Sequence, residues 1–140
     1  MNESTFIKEV AHNLQCDERR AEDLIFAVFQ ELRNRLTPYE AAAAAAQMPS
    51  GLKRLWQSLD HSDRRIEKTH QAQFIEHVRT RTMLPNDWEA RQVILAVFRE
   101  LQRLLGSPTG REGEAWDIYS QLPKDLKNLW VEAGAQAEPR

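Results

Sequence analysis

Two Glu-x-x-His spacings, Glu9-Val10-Ala11-His12 and Glu67-Lys68-Thr69-His70, are the first place where this chain could do chemistry. Residues three apart share a helix face, and two such motifs plus two further carboxylates hold a dinuclear metal centre in some four-helix bundles. A bundle ligand must point inward. At about 100° per residue, His12 falls across its helix from Phe6, Val10 and Leu14, so the pattern predicts solvated residues and no metal. Cys16 precedes a helix start, where the dipole lowers a thiol pKa. It has no His nearby in sequence to act as its base, and is read as a small side chain rather than a nucleophile. Glu31 and Glu100 both end an Ala-Val-Phe-x-Glu-Leu block at the border of an apolar face. Such a carboxylate pair suits a cation or a basic partner, but Arg35, four residues after Glu31, predicts an ordinary intrahelical ion pair. The basic pairs Arg19-Arg20, Lys53-Arg54 and Arg64-Arg65, with Lys68 beyond, are interrupted by Glu18, Glu22, Asp60, Asp63 and Glu67. Mixed charge of this kind marks solvated helix faces rather than phosphate contacts.

The tryptophans divide into two pairs. Trp56 and Trp130 close matching blocks and are assigned to the core. Trp88 and Trp116 stand where the matching positions hold Arg19 and Ala42. Trp116 and Tyr119, three apart on a helix, form one patch. An exposed aromatic patch marks a protein partner or a ligand groove. The candidate contact surface is therefore Trp116, Tyr119 and Trp88, aided by the alanine face of Ala41 to Ala46. The alternative is that Trp116 fills a gap between the halves of the chain.

The elements that must hold these residues come from an internal duplication. Phe6-x-x-x-Val10 returns as Phe74-x-x-x-Val78, Ala27–Leu32 as Ala96–Leu101, and Met48–Trp56 as Leu122–Trp130, at offsets of 68, 69 and 74 residues. Three blocks in one order predict a repeat. The spacing predicts a first helix with Phe6, Ile7, Val10 and Leu14 on one stripe, and a second from an Asp17 cap to about Leu36. At mid-length that second helix is apolar nearly all round, with Phe26 opposite its main face, and so is its counterpart around Leu95. Each should be central and packed on several sides. Thr37-Pro38-Tyr39-Glu40 reads as a capping box opening the alanine helix, and a short helix follows Pro49. Asn86 caps a long helix ending near Leu105, and Gly106 to Gly110 is a loop. The reading is one all-α domain of eight helices. Repeat 1 spans about 4–58, a charged linker about 59–73, repeat 2 about 74–132, and a disordered tail 133–140. The halves are related by a pseudo-two-fold and share one core, because about 70 residues alone bury too little surface.

A net charge of −2, from 19 Lys+Arg and 21 Asp+Glu, provides no global field for nucleic acid. One cysteine and the lack of a signal-like amino terminus or a long apolar run lead to the expectation of a cytoplasmic protein without membrane segments.

The blocks Phe-x-x-x-Val, Ala-Val-Phe-x-Glu-Leu, then Glu-Ala followed by Gln47-Met48-Pro49 or Gln121-Leu122-Pro123 and Leu-Lys-x-Leu-Trp, resemble the bacterial domain of unknown function 2267 over residues 4 to 132. The resemblance implies an all-helical, duplicated fold and brings no activity or functional residues with it. The family carries a glycine near the turn before the second helix, where this chain has Gln15-Cys16 and Leu84-Pro85. Without a phosphate loop, metal cluster or nucleophile–base pair, the expected role is a non-enzymatic interaction or scaffold module. It would need no cofactor, would bind an unidentified protein partner, and would be compatible with a homo-oligomer. The alternative is a helical domain with an apolar small-molecule pocket at the repeat junction.

Overall fold

Local side-chain chemistry starts half of the helices. In the computed structural model, which describes residues 2–59, 70–106 and 114–136, Asn2, Asp17, Thr37 and Asn86 each accept a hydrogen bond from the backbone N–H three residues on. These caps open α1 (Glu3–Leu14), α2 (Glu18–Arg33), α3 (Pro38–Ala46) and α6 (Asp87–Leu105). The remaining helices are α4 (Ser50–Gln57), α5 (Gln71–Thr82), α7 (Glu114–Gln121) and α8 (Lys124–Gln136), and no strand occurs among the described residues. No helix there is long and apolar enough to cross a membrane. The second helix stops three residues before the expected Leu36. α5 opens at Gln71, and α8 continues two residues past Gly134, into what the sequence suggested was tail. The rest of the expected linker, the loop after Gly106 and the last four residues lie outside the described residues.

Helices α1 and α5 end in the same way. Cys16 N–H donates to Ala11 O at 3.0 Å and Leu84 N–H to Arg79 O at 3.1 Å, the long closing bond of a Schellman motif. The motif needs one residue in the left-handed region. Gln15 and Met83 supply it, at φ 56° and 57°. These are the positions at which glycine is the unstrained choice.

The core gathers around α2 and α6. Phe6, Phe29 and Trp56 pack in series, tilted or edge-to-face, with centroids 6.0 and 5.2 Å apart. Phe74, Phe98 and Trp130 do the same at 5.8 and 4.9 Å. The backbone carbonyl of Trp56 accepts from Arg33 Nη1, and that of Trp130 accepts from Gln102 Nε2 at 2.7 Å. Arg33 also lies over the Trp56 ring at 5.2 Å. α1 packs against both α2 and α6, and α5 against both α6 and α2. The buried apolar side chains of all eight helices form one contiguous cluster.

The alanine helix is consumed by this packing. Ala41, Ala44 and Ala45 are buried, α3 packs against α4 and α7, and the Ala41 carbonyl accepts from Trp56 Nε1 at 2.8 Å. Small side chains permit that approach, so the inner alanine face is not part of an open contact surface. Gly51 serves a similar purpose, since a Cβ there would fall 1.3 Å from Glu3 Oε2. The Glu3 carboxylate thus sits over the first turn of α4, whose Pro49 cap offers no side-chain acceptor, where negative charge is favoured.

Substituting Met83 by glycine relieves the left-handed backbone and should stabilise the protein by about 1 kcal/mol. Valine, branched at Cβ, should destabilise it by at least that much. Urea denaturation of the two variants checks both signs.

Candidate functional site

Trp116 and Tyr119 do form one patch. One helical turn apart on α7, their rings stack with centroids 5.1 Å apart, and Lys127 Nζ from α8 lies 5.3 Å from the Tyr119 ring centre. Trp116 is 40 % exposed and Val131 57 %. Together with Trp130, Gln102 and Ala115 they border a recess of about 270 Å³. Trp116 therefore covers the seam between α7, α8 and the end of α6, with one face in the recess and one in solvent. Trp88 is 67 % exposed but sits in the first turn of α6, at the other end of that 19-residue helix from the recess. The three aromatics are not one surface. Trp88 belongs instead to a cleft of about 530 Å³ between the α1–α2 corner and α6, with Leu14, Cys16, Leu24, Leu84 and Val93.

A second cleft, of about 650 Å³, lies between α1, α2, α4 and the end of α5. Arg20, Asp23, Ala27 and Gln30 of α2 meet Arg81, Thr82 and Met83 of α5 there. In the smaller cleft Glu89, Gln92, Ala96 and Arg99 of α6 meet Asn13, Leu14 and Gln15. Each of these residues lies 69 or 68 positions from its opposite number.

The two glutamates expected at the border of the apolar face are both fully buried. The helix wheel places them beside the stripe; the neighbouring first helix then covers them. Glu31 is amply satisfied. Oε1 lies 2.9 Å from Arg35 Nη1 and 2.9 Å from His77 Nδ1, and Oε2 is 2.6 Å from Arg81 Nε. A carboxylate only accepts, so His77 donates through Nδ1–H. Arg35 also lies over the Phe74 ring at 4.9 Å. Sequence spacing identified Arg35; His77 and Arg81 arrive from α5, 46 and 50 residues away. Burial alone would raise the Glu31 carboxyl, but the bonds from His77, Arg35 and Arg81, with the Arg35 charge, hold it below the usual range.

Glu100 is the opposite case. Oε2 has only Arg103 at 3.5 Å and Arg99 at 3.6 Å, and buried Oε1 has no hydrogen-bond partner among the described residues. Burial pushes this carboxyl up, the charges of Arg103 and Arg99 do not cancel it, and Glu9 on α1 adds to it. Glu9 stands at the position matching His77. Where Glu31 meets a donor, Glu100 meets another carboxylate.

The remaining candidates separate in space. His12 is exposed. His70 Nδ1 lies 3.3 Å from Asp125 Oδ1, where α5 meets α8, while Glu67 falls outside the described residues. Among those residues no three His, Cys, Asp or Glu side chains group as metal ligands. Cys16 does not have the lowered pKa that a helix start suggested, because burial, and then the Asp17 charge, raise it against Arg20.

These features define an all-helical chain whose ionic groups hold helices together and whose open features are an aromatic face and two interhelical clefts. The chain belongs to the family described as an uncharacterized conserved protein, DUF2267, whose model matches residues 3–129. No curated protein matches it.

The two glutamates predict opposite pH effects. Glu31 ionises more readily when folded, so its contribution is present above the ordinary value of 4.5 and is lost as pH falls through the lowered one. Glu100 holds its proton more tightly when folded, so its contribution is present in acid and is lost as pH rises from 4.5 through the raised value. Glu31→Gln should cost on the order of 3 kcal/mol at pH 7. Glu100→Gln should be neutral or stabilising at pH 7 and should flatten the weakening between acid and neutral pH. Thermal melts from about pH 2 to about pH 8, which span the carboxylate range on both sides of the ordinary value, read both effects.

Proposed function

We propose that this chain is a tandem duplication of a four-helix unit, its halves related by a pseudo-two-fold, and that it works as a non-enzymatic protein-interaction or scaffold module. The repeat reading is supported by residues at the same offsets making the same contacts. Both aromatic series, both Schellman turns and both clefts follow this rule.

The interaction reading rests chiefly on the part-exposed Trp116, stacked on the half-buried Tyr119, with exposed Val131 beside it. Tryptophan and tyrosine are enriched among residues that dominate interfaces. Their sister positions do not hold this pair, so the common core does not require it. Trp88 is left as a separate element at the far end of α6. Because Trp116 is part-exposed, Trp116→Ala should cost under about 1.5 kcal/mol, against about 3–5 kcal/mol for Trp56→Ala in the core. It should also abolish co-purification of the partner from the native host. Retained partner with a multi-kcal loss of stability would return Trp116 to a purely structural role.

A second reading, a small-molecule site at the repeat junction, is favoured by the cleft holding Trp88. Its volume of about 530 Å³ lies in the usual range for ligand pockets, and both halves line it. In a thermal-shift screen, a ligand at a hundred times its Kd adds about 2.7 kcal/mol. Trp88→Ala should remove that gain if the ligand sits there.

A further inference from the structure

The two halves differ most along one strip of their central helices. On α6 the strip is Arg91, Gln92 and Leu95; on α2 it is Glu22, Asp23 and Phe26, 69 residues earlier. Leu95 is 1 % exposed, and one turn before it Arg91 is bonded to both carboxylate oxygens of Glu132 on α8. α8 runs five residues further than the matching α4, which ends at Gln57. Among the described residues the α2 strip has no equivalent of those extra turns. Phe26 is 40 % exposed, and Glu22 and Asp23 form no ion pair among the described residues. They edge the cleft of about 650 Å³ with Ile7, Leu52 and Leu55 at its apolar wall.

Carboxylates outnumber cations around this cleft: Glu3, Glu22 and Asp23 against Arg20 and Arg81. Arg81 Nε is paired with Glu31 at 2.6 Å, and Arg20 Nη2 donates to the Thr82 carbonyl at 2.8 Å while keeping its charge. Glu3 sits against α4, which leaves Glu22 and Asp23 exposed along the strip. Met83 at the mouth is 89 % exposed, a flexible side chain suited to adaptable apolar contact.

We infer that the Glu22–Phe26 strip of α2 is a docking groove for a basic amphipathic helix of a partner protein. The seat is the one that the last turns of α8 occupy along α6, with the charges reversed. Where α8 presents Glu132 to Arg91, the incoming helix presents Lys or Arg to Glu22 and Asp23, and its apolar side covers Phe26. The inference rests on the proposed equivalence of the halves and does not depend on the Trp116 surface.

The test uses the full chain and two labelled synthetic helices of the same apolar pattern, one of leucine and lysine and one of leucine and glutamate, with fluorescence anisotropy as the readout. The lysine peptide should bind one to one and the glutamate peptide should not. Phe26→Asp should weaken binding by about tenfold or more with its thermal melt retained. Glu22→Arg/Asp23→Arg, which gives the strip the positive sign of Arg91, should invert the preference to the glutamate peptide. Trp116→Ala should leave binding unchanged, so loss of the first proposed surface and loss of this one are separable. An absent or uninverted preference would overturn the inference, as would binding indifferent to Phe26→Asp. So would a concentration-dependent dimer of the unmodified chain that Phe26→Asp abolishes, since the groove would then belong to a second copy.

Discussion

Two helices that are apolar nearly all round must each be covered on more than one side, and this constraint organises the molecule. α2 carries Leu24, Ile25, Ala27, Val28 and Phe29 in succession; α6 carries Val93 to Phe98. No single amphipathic partner covers such a surface. The solution is an exchange of cover: α1 lies on α2 and reaches α6, and α5 lies on α6 and reaches α2. The helix before each central helix thus also covers the other central helix.

The exchange has an electrostatic consequence. A glutamate at the edge of the apolar face of α2 or α6 is covered by α5 or α1 respectively, and so is buried whether or not that helix brings a partner. For Glu31 it brings His77 and Arg81, which complete a network begun by Arg35. For Glu100 it brings Glu9, and the carboxyl is left with two long ion pairs and one unbonded oxygen. Breaking a satisfied buried pair is costly, while an under-satisfied one contributes little. Equivalent positions in one fold thus act with opposite sign, according to what faces them.

Asymmetry also directs attention to function. The contacts that recur at similar sequence offsets (aromatic series, turns, cleft walls) form the structural frame. The differences lie at the surface: the Trp116–Tyr119 stack on α7, Trp88 at the start of α6, and Phe26 left open where Leu95 is closed. The buried core is filled without these residues, which is why the functional proposals rest on them.

Much of this architecture was legible in the chain. Caps at Asp17, Thr37 and Asn86, the alanine run, and apolar residues at helical spacing fixed the helices, because capping and periodicity act within a few residues. The recurrence of three blocks suggested a repeat, and the i, i+4 spacing of Glu31 and Arg35 announced their ion pair. What the sequence alone left undecided is what meets across helix interfaces. His77 and Arg81 on Glu31, Glu9 facing Glu100, and the left-handed turns at Gln15 and Met83 without glycine depend on contacts or compensation that no local pattern encodes. The same holds for the separation of Trp88 from Trp116, which a helix of 19 residues imposes by its length, and for the burial of the alanine face by α7. Short-range chemistry chose the elements; tertiary packing chose which side chains face each other, since that depends on helices brought together from distant parts of the chain.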